Sequence, residues 1–302
     1  MKKLKPTVEG AFLAALTVIL YLSSIYIPLF GIFLSFFCPL PVLFLVIRWD
    51  VRTGFLAALV ATLLVAFTGL IPALICVSYT MIGLFLGYTI KKKYTFFEVI
   101  GFGSLVSVLS KIIIIGFALL ITGKNPLTEN LQIMEETFQK TSQIFGNVGG
   151  ENFKQIINLI HLALPAILVV ASIFDTSLNF FLGRWVGKRI GMPFPEYPPF
   201  RNWRFPTSVF WMFILSWILV LLGGETIYGK IGLNLQIVTQ ALFIIQCVAI
   251  VYFFLSRYIQ SRGIKIFILL FVILQPVLST IVSWLGVLDT WFDFRKMSTR
   301  QR

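Results

Sequence analysis

The sequence predicts an all-α bundle that crosses a lipid bilayer many times, and three observations carry that expectation. The chain of 302 residues is 58% hydrophobic and only 12% charged, against roughly a quarter charged in an ordinary soluble domain. Its apolar residues come in runs of about 17 to 25, the length a helix needs to cross the hydrocarbon core. Those runs lack the polar alternation of barrel strands, and in lipid only helices and closed barrels satisfy every backbone group.

Nine apolar segments follow one another, near residues 8–28, 32–47, 53–71, 73–90, 96–121, 156–186, 207–223, 234–255 and 265–286. Lys2, Lys3 and Lys5 before the first resemble a signal peptide. That run is long enough to span, however, and Ile27-Pro28 leads straight into more membrane sequence, so it reads as a retained first helix. Between the fifth and sixth segments, Leu127, Leu131, Met134, Phe138 and Phe145 recur at helical spacing among Glu129, Glu135 and Glu136. The stretch 122–155 is therefore read as an amphipathic helix on the outer face, either plainly interfacial or a lid over an external site. Proline and aromatic residues with Arg from Pro193 to Pro206 suit the headgroup layer. Residues 191–206 are taken as a linker between a six-helix unit (1–190) and a C-terminal transmembrane extension (207–302).

Lys and Arg orient such a chain, because they are retained on the cytoplasmic side. Alternate connections hold sixteen of them: the N-terminus, residues 48–52, 91–93, 184–204 and 257–265. The opposite connections hold four, Lys124, Lys140, Lys154 and Lys230. The N-terminus is expected in the cytoplasm and the chain in a bacterial cytoplasmic membrane. Nine crossings would put Arg295, Lys296, Arg300 and Arg302 outside. Either the tail breaks the rule, or the stretch from Ile264 to Phe294 bends at Gln275-Pro276 into a hairpin.

The net charge of +13 is spread over these short clusters, which suits lipid headgroups rather than nucleic acid. Cys38, Cys76 and Cys247 lie far apart in apolar runs and are expected to be buried thiols. Hydrolase, zinc-protease, P-loop and dinucleotide motifs are missing, and His161 is the single histidine. The expectation is therefore a non-enzyme without a metal or cofactor.

Ionisable residues inside apolar segments are costly, and so are either functional or paired. Lys111 in the fifth segment and Asp175 in the sixth stand out, with Asn179 one turn from Asp175 on the same helix face. Together with His161 they form the candidate solute site. Counted from the segment ends, Lys111 and Asp175 differ in height by about 12 Å at ~1.5 Å per residue, so a direct bridge needs tilted helices or an intervening ligand. Snorkelling of Lys111 and internal bonding of Asp175 is the plainer reading. Asn158 and His161 suit either a solute or the headgroup zone. Gln246 and Gln275 read as helix–helix hydrogen-bonding groups. Ala11 and Ala15, like Gly10 and Ala14, make a small-residue face suited to close helix approach.

The Ala11-x-x-x-Ala15 helix, the short second segment marked by Gly31, Pro39 and Pro41, Arg52-Thr53-Gly54, and Gly83 and Gly87 before Lys91–Lys93 resemble the substrate-binding S components of energy-coupling factor transporters. That resemblance implies six helices around a small-molecule site open to the outside. It also implies an Ala11/Ala15 face that packs on an energy-coupling subunit, with ATPases supplied in trans. Over nearly its full length the chain looks still more like the YybS-type bacterial membrane proteins. FDTSLNFFLGR around Asp175, the Pro198–Pro206 loop, and Leu285-Gly286, Asp289 and Trp291–Arg295 carry that likeness. The expected function is a small-molecule-binding or transport subunit. The alternative is a non-transporting membrane scaffold or regulator that docks other proteins through the Pro198–Pro206 loop.

Overall fold

The computed structural model describes residues 4–145, 150–292 and 294–295, and these are mostly helical, without a strand among them. Helix α1 (Leu4–Tyr26) is followed by a single short turn of helix, α2 (Gly31–Ser35), and by α3 (Leu40–Arg48). Next come α4 (Val51–Ala66), α5 (Leu70–Lys91), α6 (Phe96–Thr122), α7 (Pro126–Phe145) and α8 (Gly150–Arg189). A 3₁₀ turn at Phe200–Asn202 precedes α9 (Thr207–Gly223), α10 (Ile227–Tyr258), α11 (Arg262–Leu274) and α12 (Pro276–Phe292). Among the described residues, six stretches are long and apolar enough to cross a membrane, and α4 and α9 are shorter apolar helices. The chain is an all-α polytopic bundle.

Local chemistry places the helix ends. Asp50 caps α4 by accepting from the Thr53 N–H at 2.6 Å, and this bond holds its carboxyl below the ordinary carboxylate range. Thr95 and Glu98 form a capping box at the start of α6. Gly123 closes α6 in the left-handed conformation (φ 67°). Several segments differ from the sequence expectation: α10 starts at Ile227 rather than near residue 234, and the segment expected at 32–47 is the two helices α2 and α3. α8 starts at Gly150 rather than near residue 156, and the segment expected at 265–286 is two helices. Gln275 is extended there (φ −89°, ψ 107°), as the residue before a proline favours, and α12 restarts at Pro276.

The chain divides into two compact units. The first comprises residues 1–161 and 171–197. Its core is built from tight helix contacts: a Cβ added at Gly83 would strike the Pro39 carbonyl, and one at Gly87 the Val46 side chain. Tyr21, Cys38, Val65 and Cys76 form one buried cluster, and Ala14, Leu45 and Ala57 another. Gly10 and Ala14 thus face inward, whereas Ala11 and Ala15 are exposed beside Val8, Phe12 and Ile19. One end of this unit is polar: Glu9 takes Arg48 at 2.8 Å and the Trp49 indole at 2.8 Å, and Lys91 donates to the Trp49 carbonyl.

The second unit comprises residues 162–170 and 198–302. α9, α10 and α12 pack around Phe213, Phe243 and Val287. Both ends of the 262–292 stretch meet the same end of α10. Lys265 lies over the Tyr252 ring at 5.6 Å, while Gln246 donates to the Gly286 carbonyl at 2.9 Å and Arg204 to that of Thr290 at 2.7 Å. The chain therefore turns back at Gln275-Pro276, and Arg295 ends beside the 201–203 loop.

Candidate functional site

The α6 sequence places Ser104, Ser107 and Lys111 along one stripe, and α8 places Ser172, Asp175, Thr176 and Asn179 along another. In the first unit these stripes face each other. The Lys111 Nζ lies 3.1 Å from Asp175 Oδ2. It also donates to Ser107 Oγ at 2.5 Å. The Asp175 Oδ1 accepts from Asn179 Nδ2 at 3.0 Å. Three of the four sequence-predicted site residues, Lys111, Asp175 and Asn179, are thus one hydrogen-bonded cluster.

Lys111 and Asp175 bridge directly across the expected height difference and need no intervening ligand to meet. Phe138 of α7 stacks on Phe153 of α8 with centroids 3.7 Å apart. Thr176 lies against Gly103, eight positions before Lys111 on α6, so about 12 Å of height at ~1.5 Å per residue separates the two backbones. The side chains span it by tilting toward the N-termini of their antiparallel helices, Lys111 running back past Ser107 to reach Asp175. His161 is exposed and does not line the cavity. Asn158 is exposed as well.

The pair lines a cavity of about 350 Å³. Ser35 and Phe36, which join α2 to α3, and Ile75, Ser78 and Tyr79 of α5 supply one side. Ile114, Ala171 and Phe174 complete it. Ser78 and Ser110 share a hydrogen bond of 2.8 Å behind this wall. From the Thr122 end of α6, Lys111 lies about 16 Å down the helix at ~1.5 Å per residue, near the middle of a ~30 Å hydrocarbon core. The charges remain partly open, with 26% of the Lys111 side chain and 16% of the Asp175 side chain exposed.

Polar capacity is left over beside the pair. The side-chain oxygens of Ser172, Thr176 and Asn179 are buried without a partner among the described residues. Native structures seldom leave such groups unpaired unless water, an ion or a functional strain explains them. Beyond Asn179 an aromatic cluster closes the stripe. Phe96 and Phe180 meet edge to face at 5.1 Å, and Tyr197 packs on Phe181 at 5.3 Å with the Arg184 guanidinium over its ring. Ser35, Ser78, Tyr79 and Ser107 were not foreseen as site residues. Only the one-turn spacing of Ser107 and Lys111 signalled any of them.

Two further polar arrangements lie in the second unit. The Asp289 and Arg295 side chains are 0% exposed and pair at 2.7 Å. Asp289 also accepts from the Phe294 N–H at 3.1 Å, and Arg295 donates to the carbonyls of Arg201 (2.8 Å) and Trp203 (2.9 Å). Gln246 accepts from Phe205 N–H at 2.9 Å and donates to Gly286. Asn234 does something the sequence did not advertise. It accepts from Ala166 N–H and donates to Leu162 carbonyl, each at 2.9 Å, and so inserts its amide between an i,i+4 pair of α8 next to Pro165.

Residues 15–290 match the family described as "Predicted membrane protein (DUF2232)". Over 310 residues the chain is 24% identical to "Uncharacterized protein YybS" of Bacillus subtilis (strain 168), with 98% of this chain and 99% of that one covered. No solved structure matches the chain.

Proposed function

The chain belongs to the DUF2232 membrane-protein family, and from that premise we propose that it captures a small solute in its first unit and hands it to a separate, energised partner. The observation that supports this reading is the Lys111–Asp175 pair opening onto a cavity of about 350 Å³. An ion pair near mid-bilayer is expensive to keep. One with unspent hydrogen-bonding capacity facing a cavity suits a solute site. The resemblance to transporter S components supplies the partner: an energy-coupling subunit with ATPases, since this chain carries no P-loop. Ala11 and Ala15 would pack on it, and their exposure leaves that face free to do so. On this reading the N-terminus is cytoplasmic and the solute site faces outward from a bacterial cytoplasmic membrane, an orientation that the excess of Lys and Arg in alternate connections favours.

Gentle purification of the tagged protein from its own membranes tests the reading. ATPases and a coupling subunit in stoichiometric amounts are expected, and Ala11→Trp/Ala15→Trp is expected to lose them without loss of fold. Reproducible absence of such partners overturns it. A second reading, a non-transporting scaffold or regulator, is favoured by the 198–206 loop. Arg295 and Gln246 hold that loop in one conformation, and Phe200 and Trp203 meet edge to face at 5.2 Å on it. Recovery of signalling or envelope proteins, lost on replacing the loop, would establish it.

A further inference from the structure

We infer that the cavity of the first unit takes an α-amino acid with an apolar or aromatic side chain, bound as a zwitterion; this rests on the solute-capture reading above. Lys111 and Asp175 are the only charged groups on its described wall, so the site is neutral as a whole. A singly charged occupant would leave an unbalanced charge among apolar helices, which is strongly disfavoured. A net-neutral occupant avoids that cost.

The pair also offers both polarities at once. An ammonium has three donors, and two of those on Lys111 go to Ser107 and Asp175. A carboxylate has about four acceptor positions, and Asp175 meets Asn179, Lys111 and a long 3.5 Å contact from Ser107. Both side chains reach the cavity. A ligand carboxylate can therefore take the open Lys111 donor while a ligand ammonium takes the open Asp175 lone pair. Neither protein charge then loses its partner. Phe36, Phe174 and Tyr79, with Ile75 and Ile114, supply an apolar and aromatic wall for the rest of the molecule. The volume sits at the small end of ligand pockets, which span ~300–1,000 Å³, and this suits a single amino acid.

The test uses the full chain in lipid nanodiscs and reads saturable binding by thermal shift and calorimetry. The probes are the neutral L-amino acids, with phenethylamine and 3-phenylpropionate as amine-only and acid-only counterparts of phenylalanine. At least one apolar or aromatic amino acid is expected to bind, with the single-charge probes at least tenfold weaker. Binding is expected to fall at least tenfold in Lys111→Met/Asp175→Leu, which removes both charges together and so avoids stranding one. A single-charge probe that binds as tightly, and depends on the pair, overturns the zwitterion assignment and leaves solute capture standing. Amino-acid binding that is unchanged in the double variant overturns the assignment to this cavity. Failure of every probe to bind the folded protein overturns the assignment and removes the support it lends to solute capture.

Discussion

Asp289–Arg295 in the second unit and Lys111–Asp175 in the first have the same chemistry in opposite settings. Both side chains of the first-named pair are 0% exposed, and backbone carbonyls and an N–H take up most of their remaining capacity. Arg295 Nε alone is left without a partner there among the described residues. That arrangement closes a structural joint: it ties the end of α12 to the 201–205 loop and α10. The Lys111–Asp175 pair is open on one side and has three unpartnered oxygens beside it. Burial costs a charge several kcal/mol unless partners replace its hydration. A fully partnered pair can hold a fold together. A partly partnered one facing a cavity is suited to a guest that supplies what is missing.

Mutations separate the two roles. The largest effect is expected for Asp289→Ala, which leaves Arg295 charged and enclosed: a loss of about 3–5 kcal/mol, read as a large fall in Tm in detergent or failure to fold. A loss under about 1 kcal/mol would remove the structural role and break the comparison. Next comes Asn234→Leu, which strands the Ala166 N–H and the Leu162 carbonyl. At about 1–3 kcal/mol per stranded group, partly recovered if the two rejoin across the helix, a loss of about 2 kcal/mol is expected by denaturant titration.

Smaller effects sharpen the contrast. Asp50→Ala removes the α4 cap, at a cost of about 1 kcal/mol. Because the Thr53 bonds depress the Asp50 pKa, this contribution is complete above its unfolded value near ~3.9. It fades as pH falls through the lower folded value, so wild type and Asp50→Ala should converge in stability in strong acid. The smallest stability change is expected for Lys111→Met/Asp175→Leu, within about 1 kcal/mol, since a pair removed as a unit strands no charge. A drop as large as that of Asp289→Ala would make the cavity pair structural and sink its assignment as a solute site.

Bundle class, the helices around residues 96–122 and 207–223, and the amphipathic α7 were legible because each depends on local composition and 3.6-residue periodicity. Asp175 and Asn179 were legible as neighbours for the same reason. Ser35, Ser78 and Tyr79 were not, because isolated uncharged polar residues on apolar helices mark no face until another helix comes to lie against them. Asn234 reads as an ordinary helix amide, and its insertion beside Pro165 depends on a helix more than sixty positions away.

By itself the sequence determined that this chain crosses a bilayer as helices, because hydrophobic runs and missing backbone partners in lipid leave no other solution. It also determined which ionisable groups had to find company there. Tertiary structure alone decided who met whom. Side chains that tilt toward the N-termini of antiparallel α6 and α8 carried Lys111 and Asp175 across a backbone offset of ~12 Å to a 3.1 Å bridge. The choice of bend over straight helix at Gln275-Pro276 came from packing of α12 on α10. Such registers depend on where whole helices stop and how their surfaces interlock, and no local stretch of sequence contains that information.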